Sequence, residues 1–185
     1  MDRKLVERAM AGDREAFNDL ARLSIGRLYG LAQLILRDPD RAADATQEAL
    51  VSAWRDLSAL RDPDRFDAWL HRLLIRSCQR EARTTRRRRM VEVGDLLLGN
   101  RPGPDDFPTM FDRDQLERGF QRLGVEERAV LVLHHLEGFS LAEIAEVCGI
   151  PAGTVKSRLY RGIQAMRAAL DADARTVPFD RERIA

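Results

Sequence analysis

The stretch Ser140-Leu-Ala-Glu-Ile-Ala-Glu-Val-Cys-Gly-Ile-Pro-Ala-Gly-Thr-Val-Lys-Ser-Arg-Leu-Tyr-Arg161 constrains this chain more than any other. It reads as a short helix, a glycine turn and a second helix with one face of hydrogen-bond donors. Ser140 is placed to cap the first helix, and Glu143, three residues on, to close a capping box. Leu141, Ile144, Ala145 and Val147 share an apolar face. Gly149 falls where a tight turn calls for a positive φ. Pro151 suits the first turn of the next helix, where its missing N–H has no partner to lose. Val155, Leu159, Ile163, Met166 and Leu170 then recur every three or four residues, a buried stripe at helical period. Opposite them lie Thr154, Ser157, Arg158 and Arg161, with Lys156 and Tyr160 at the edges. No acid occurs between Pro151 and Leu170. A solvated basic face is the plainer reading of such a helix. Capping box, turn glycine and charge segregation together favour a helix lying in a DNA major groove, donors toward phosphates and base edges.

The net charge of the 185 residues is only +1, which by itself points away from nucleic acid. The distribution reverses that reading. From His71 to Met90 there are eight arginines and one acid, Glu81, while acids gather at Asp38 to Glu48 and Asp105 to Asp114. Local fields, not the sum, select partners.

The chain divides by its breakers. Residues 1–89 are helical by period, with Phe17, Leu20, Ala21, Leu28, Leu31, Ala32 and Ile35 on one face. Asp38-Pro39-Asp40 opens a second helix through Ala42–Leu57, and Arg61-Asp-Pro-Asp64 breaks before a third from about Phe66 to Thr84. Residues 90–111 carry Gly94, Gly99, Gly103, Pro102, Pro104 and Pro108 and read as a flexible linker, with Leu96-Leu97-Leu98 as a docking segment or a local clasp. Residues 112–171 form a second helical domain, in which Leu116, Phe120, Leu123, Val130, Leu131 and Leu133 supply the leading helices. Residues 172–185 are a polar tail. The expected fold is therefore all-α, two helical domains on a linker.

In the third helix, Arg72, Arg76, Arg80, Arg83 and Arg87 line one face, opposite Phe66, Trp69, Leu70, Leu73 and Ser77. Arginines at i,i+4 with no acid on their face repel one another, and an extended anion such as a nucleic-acid backbone offsets that cost. The helix before it carries Asp44, Gln47 and Glu48 on one face, with Trp54 and Asp56 beyond. That acidic and amide face suits a protein partner bearing arginines. Catalytic use is the weaker reading, because no histidine, metal-ligand set or nucleophile accompanies the carboxylates.

No phosphate-binding glycine loop or G-x-S-x-G motif occurs, and no Cys/His spacing resembles a zinc site. His134 and His135 are expected at a helix surface or core edge. Cys78 and Cys148 are expected as buried, inert thiols. Neither an enzyme, nor a metal, nor a cofactor is expected. The N-terminus lacks a signal-peptide core and no apolar run is long enough to span a bilayer, so the expectation is a cytoplasmic protein without membrane insertion.

From Arg8 to Leu170 the chain resembles the sigma-70 family of RNA polymerase sigma factors, in the compact extracytoplasmic-function (ECF) group. Asp44-Ala-Thr-Gln-Glu-Ala-Leu-Val-Ser-Ala-Trp54 resembles the family's region 2.2, which docks on the clamp coiled coil of core RNA polymerase. Phe66-Asp-Ala-Trp-Leu-His-Arg72 and the arginines after it resemble regions 2.3 and 2.4, which capture the −10 promoter element. Arg122-Leu-Gly-Val-Glu-Glu-Arg-Ala-Val-Leu131 resembles region 4.1, and Leu141 to Arg161 resembles region 4.2, which reads the −35 element. Arg76 and Arg80 depart from the Asn and Asp the family often has at these positions, so the family's −10 base contacts do not carry over there.

The resemblance implies a non-enzymatic initiation factor that binds core polymerase, at clamp and flap, and promoter DNA. Asp44, Gln47, Glu48 and Trp54 would meet the polymerase. Thr154, Lys156, Ser157, Arg158, Tyr160 and Arg161 would meet the −35 duplex. Arg61, Arg65, Phe66 and Trp69 would wall a pocket for a flipped −10 base, Trp69 reading equally well as core alone, with Arg72, Arg76, Arg80 and Arg83 on the backbone. Proteins of this group are often held inactive by an anti-sigma factor, and none is identifiable from this sequence. Two rivals come from other classes. One is a stand-alone helix–turn–helix regulator, which would dimerise on paired half-sites. The other is a recombinase, for which Tyr29 and Tyr160 lack any catalytic setting.

Overall fold

Three aspartates start the first three helices. In the computed structural model, which describes residues 1–92 and 119–174, α1 (Arg3–Met10) is capped by Asp2, whose carboxylate accepts from the Lys4 N–H. Asp13 caps α2 (Arg14–Leu36) through the N–H groups of Glu15 and Ala16. Asp38 caps α3 (Pro39–Asp56) through the Arg41 N–H, with Pro39 in the first turn. Each carboxylate takes up a donor that the helix itself cannot satisfy. Two short 3-10 turns, Leu57–Ala59 and Pro63–Arg65, lead into α4 (Phe66–Glu92). After residue 119 come α5 (Val125–His135), α6 (Leu141–Cys148) and α7 (Ala152–Ala174). No strand occurs among the described residues.

α4 runs past the Thr84 end expected for it and takes in the arginine run. Arginine is a good helix former, and neither Gly nor Pro intervenes before Gly94. Apart from its first three residues, which continue α4, the expected linker with Leu96-Leu97-Leu98 lies outside the described residues. So do Leu116 and all of the tail beyond Ala174.

The packing of the first four helices rests on small residues as much as large ones. Ala42, Ala45, Ala49 and Ala53 are almost completely buried and let α3 approach α2 and α4 closely. Around them Leu20, Leu28, Ile35, Phe66, Leu74 and Ile75 fill the core. In the second half Val130, Val132, Leu133, Ile144 and Val155 pack α5, α6 and α7 together. Gly162 has no Cβ because one would fall 2.8 Å from Leu131 Cδ1, so the glycine permits the α5–α7 crossing.

The turn between α6 and α7 is built as the sequence leads one to expect. The Glu143 N–H donates to Ser140 Oγ, and the Glu143 carboxylate accepts from the Ser140 N–H at 2.8 Å and hydroxyl at 2.7 Å. These bonds hold the Glu143 carboxyl below its usual range. Gly149 adopts φ 66° and its N–H donates to the Ala145 carbonyl. Cys78 is buried and its thiol is pushed up to about 12 by desolvation. Cys148 is only partly buried, and the same cause takes it to about 11.

The halves do not stand apart. α5 lies on α2 and α6 on α4, and the buried residues of both form one continuous apolar cluster.

A Cβ at Gly149 would meet no atom within 4 Å, so its cost is one of backbone alone. Gly149→Ala is expected to lower stability by about 1 kcal/mol in urea unfolding. Gly149→Asn should lose less, since Asn tolerates the left-handed region. Equal loss from both would contradict a backbone origin.

Candidate nucleic-acid interface

On α7 the donor face divides into an open part and a tethered part. Tyr160 is 64% exposed, and Lys156 and Ser157 are exposed beside it, with Thr154 partly so. The Ser157 hydroxyl donates to the Thr154 carbonyl at 2.9 Å. The Arg161 guanidinium is open to solvent but 3.5 Å from the Glu127 carboxylate of α5. Arg158 turns inward, its side chain only 16% exposed and paired with Glu126 of α5. The exposed cationic surface is thus Lys156 and Arg161, the latter beside Glu127, while Arg158 ties the helix to its own domain.

The other basic surface follows α4. Arg76 and Arg83 are exposed and Arg72 is half-buried, its Nε without a hydrogen-bond partner. Arg80 pairs with Glu48 of α3, so the acidic and basic helices read separately in the sequence meet at this pair. In the loop before α4, Arg61 and Arg65 are exposed, and Trp69 in the first turn of α4 is partly so. Phe66 lies beneath them, 2% exposed. Its ring centroid is 6.0 Å from that of Trp69. Phe66 therefore supports this surface from within the core.

On the far side of α3 lies a groove of about 570 Å³ that periodicity did not reveal. Phe17, Ile25 and Tyr29 of α2 face Leu50, Val51 and Trp54 of α3 across it, with Gln47 on its edge. Trp54 is 44% exposed. It meets Phe17 edge-on at 4.9 Å. Asp44 and Glu48 are exposed on the same helix. The helical wheel of α3 had shown only its polar rim, because half of the apolar wall belongs to α2.

Sequence reasoning also missed the charges between the halves. Glu137, just after α5, buries a side chain that is 6% exposed against Arg27 and His71 of the first half. Arg27 of α2 donates to it from Nε at 3.2 Å and pairs with it again through Nη2. The pairing raises the Arg27 pKa further. His71 Nε2 lies 2.9 Å away, out of line for a hydrogen bond. Its Nδ1 is 2.6 Å from the Asp67 carbonyl. Phe139 closes over His71 edge-on at 5.3 Å. Nearby, buried Arg128 donates from Nε to the Ile35 carbonyl at 2.6 Å, in the last turn of α2. A cation at a helix C-terminus is favourable, although burial lowers its pKa to about 10. Arg65 lies 3.6 Å from Glu146 of α6. The partners of Arg27, His71 and Arg128 are 66 to 110 residues distant in sequence, beyond the reach of any local pattern. The one local signal was Arg128 itself, a charge heading the apolar run Ala129–Leu133.

A helical bundle with a basic helix, joined to a helix–turn–helix with an open donor face, defines a two-part DNA-reading protein. Residues 20–88 match the family model "Sigma-70 region 2" and residues 113–166 match "Sigma-70, region 4". The chain is 33% identical over 160 residues to the ECF RNA polymerase sigma factor SigM of Mycobacterium tuberculosis, covering 86% of this chain and 80% of that protein. It is 32% identical to the RNA polymerase sigma-H factor of Pseudomonas aeruginosa, covering 91% of this chain and 93% of that one. Among solved structures, CnrH in complex with the cytosolic domain of CnrY is similar with a TM-score of 0.64 at 27% identity, over 93% of this chain and 98% of that one. RpoE of Bartonella quintana, in complex with the anti-sigma factor NepR, shares the fold with a TM-score of 0.69 at 24% identity, over 85% of this chain and 98% of that one. This chain belongs to the sigma-70 family, in its extracytoplasmic-function group. No helix among the described residues is long and apolar enough to cross a membrane.

The α5 acids hold back two α7 arginines. Glu126→Gln with Glu127→Gln should strengthen non-specific duplex binding and steepen its salt dependence, by about one counterion per arginine freed. A salt titration of duplex affinity checks this, and an unchanged slope would mean that Arg158 and Arg161 stay off the DNA.

Proposed function

We propose that this protein binds core RNA polymerase through the α2–α3 groove and directs it to promoters, reading the −35 element with α7 and capturing the −10 element with α4 and the loop before it. The observation that carries this reading is a pair of unlike surfaces on one chain: an apolar groove between α2 and α3, with Asp44 and Glu48 exposed on the same α3, and an open donor face on a helix–turn–helix. The groove has the form that receives a helix, with apolar anchors inside. Asp44, Gln47, Glu48 and Trp54 would meet the polymerase clamp there, and region 4 its flap. The likeness to a sigma factor solved with an anti-sigma factor makes such a factor a candidate inhibitor here. The protein would act by binding rather than catalysis, in the cytoplasm with the polymerase.

At −35, Lys156, Ser157, Tyr160 and Arg161 form the open surface, Thr154 sits at the helix start, and Arg158 would set the helix angle unless DNA draws it from Glu126. Arginine bonds guanine bidentately, and hydroxyls and lysine hold phosphates. At −10, Arg61, Arg65 and Trp69 would face an unstacked base with Phe66 as their floor. Arg72, Arg76, Arg80 and Arg83 would follow the backbone, Arg80 by exchanging Glu48 for phosphate. A stand-alone dimeric regulator would account for the donor face but leaves the groove unexplained, and this chain matches the family's region 2 as well as its region 4.

Two measurements test the assignment. Asp44→Lys with Glu48→Lys should abolish capture of core RNA polymerase while leaving the circular dichroism spectrum helical, and normal capture would remove the docking assignment. Arg161→Ala should cost about 1–3 kcal/mol at one −35 position and relax its specificity in run-off transcription from a promoter library. A uniform loss across sequences would make Arg161 a phosphate anchor.

A further inference from the structure

The loop that carries Arg61 and Arg65 has little packing of its own. Between residues 57 and 65 only Leu57 is buried. Local hydrogen bonds give the loop its shape: the Asp64 N–H donates to the Asp62 carboxylate at 3.0 Å, and the Arg65 N–H to the Asp62 carbonyl at 3.1 Å. The same exposed stretch mixes its two arginines with two acids, Asp62 and Asp64. An unpaired Asp64 would repel the phosphates of an approaching strand and draw the neighbouring guanidinium groups onto itself. Helix α1 meets both weaknesses. It is anchored by buried Val6 and Ala9 and packs against both 3-10 turns. From its first residue, Arg3 Nη1 donates to the Asp64 carboxylate at 2.7 Å, while Nε donates to Glu7 at 2.8 Å. Glu7, one turn on, thus aims the guanidinium at the loop. Glu7, Asp64 and Asp62 together raise the Arg3 pKa, so both loop acids lie within its field.

We propose that Arg3 is a positioning residue for −10 capture: through Asp64 it fixes the loop before α4 and takes up the carboxylate charge there, leaving Arg61 and Arg65 to the DNA. The inference rests on the proposed function, in which that loop receives an unstacked base. Among the described residues the partners of Arg3 are both acids, Glu7 and Asp64, so it acts through the loop rather than on the strand. Arg3 and Asp64 lie 61 residues apart, which is why no local pattern pairs them. Both side chains are exposed, so the pair adds little to global stability. A small free energy is enough for positioning, because the loop has so little else to hold it.

A double-mutant cycle separates positioning from a general loss of positive charge. In the free full-length chain, Arg3→Gln should quicken hydrogen–deuterium exchange at the Asp64 and Arg65 amides by about two- to fivefold, the range an exposed ion pair spans. Exchange in α2 and α3 should stay as in wild type. In holoenzyme, on a promoter recovered by run-off selection, the affinity read by brightening of 2-aminopurine in the −10 element should fall by a similar factor. In an Asp64→Asn background the same Arg3→Gln change should have no effect on either readout. A simple loss of charge, or of α1 stability, would cost equally in both backgrounds. Unchanged exchange in Arg3→Gln, or an equal effect in the two backgrounds, would overturn the positioning role. The exchange measurement uses neither polymerase nor promoter, so its failure leaves the proposed function standing. Absence of 2-aminopurine brightening in wild type would instead remove −10 capture, and the role of Arg3 with it.

Discussion

Everything in this molecule leans on α4. It packs α3 and α2 along one side and α5 and α6 along another, which is why Leu73, Leu74, Ile75, Ser77 and Cys78 are all buried although no single stripe at helical period includes them all. A helix enclosed on so wide an arc keeps only a narrow surface for function. That remaining surface is the line of arginines, and their cationic heads reach solvent because their stems are long. The basic face is thus what is left of α4 after two domains have used the rest.

The second dependence is electrostatic. The apolar cluster supplies the area that joins the halves, but area is indifferent to register. Arg128 on the end of α2, and Glu137 between Arg27 and His71, specify one docking geometry. Ionic groups at such a boundary add little net stability, since desolvation offsets attraction. What they add is a condition: the halves fit in one way or separate.

How much of this was legible depended on how local its cause was. The Ser140–Glu143 box, the left-handed Gly149 and the apolar side of α6 follow from residues within ten positions of one another, and the sequence pattern contains them. The arginine face of α4 was equally visible. The inward turn of Arg158 was not, because a helical wheel assigns a face but not the neighbour that occupies it, and Glu126 lies on another helix. The groove beside Trp54 was half visible for the same reason, being shared between α2 and α3. Phe66 shows the converse error: a residue named for its type at a functional loop proved to be its foundation. The Arg27–His71–Glu137 group lay beyond sequence reasoning altogether.

The alanine face of α3 has a consequence of its own. Ala42, Ala45, Ala49 and Ala53 have no rotamers to lose, and they seat the helix almost backbone to backbone against its neighbours. The opposite face, with Asp44, Gln47 and Glu48, is therefore displayed on a rod that has no play beneath it. If the proposed partner docks there, helix α3 itself needs little reordering at the moment of contact, so little ordering entropy is owed. The least conspicuous residues of the chain are what seat that face so closely.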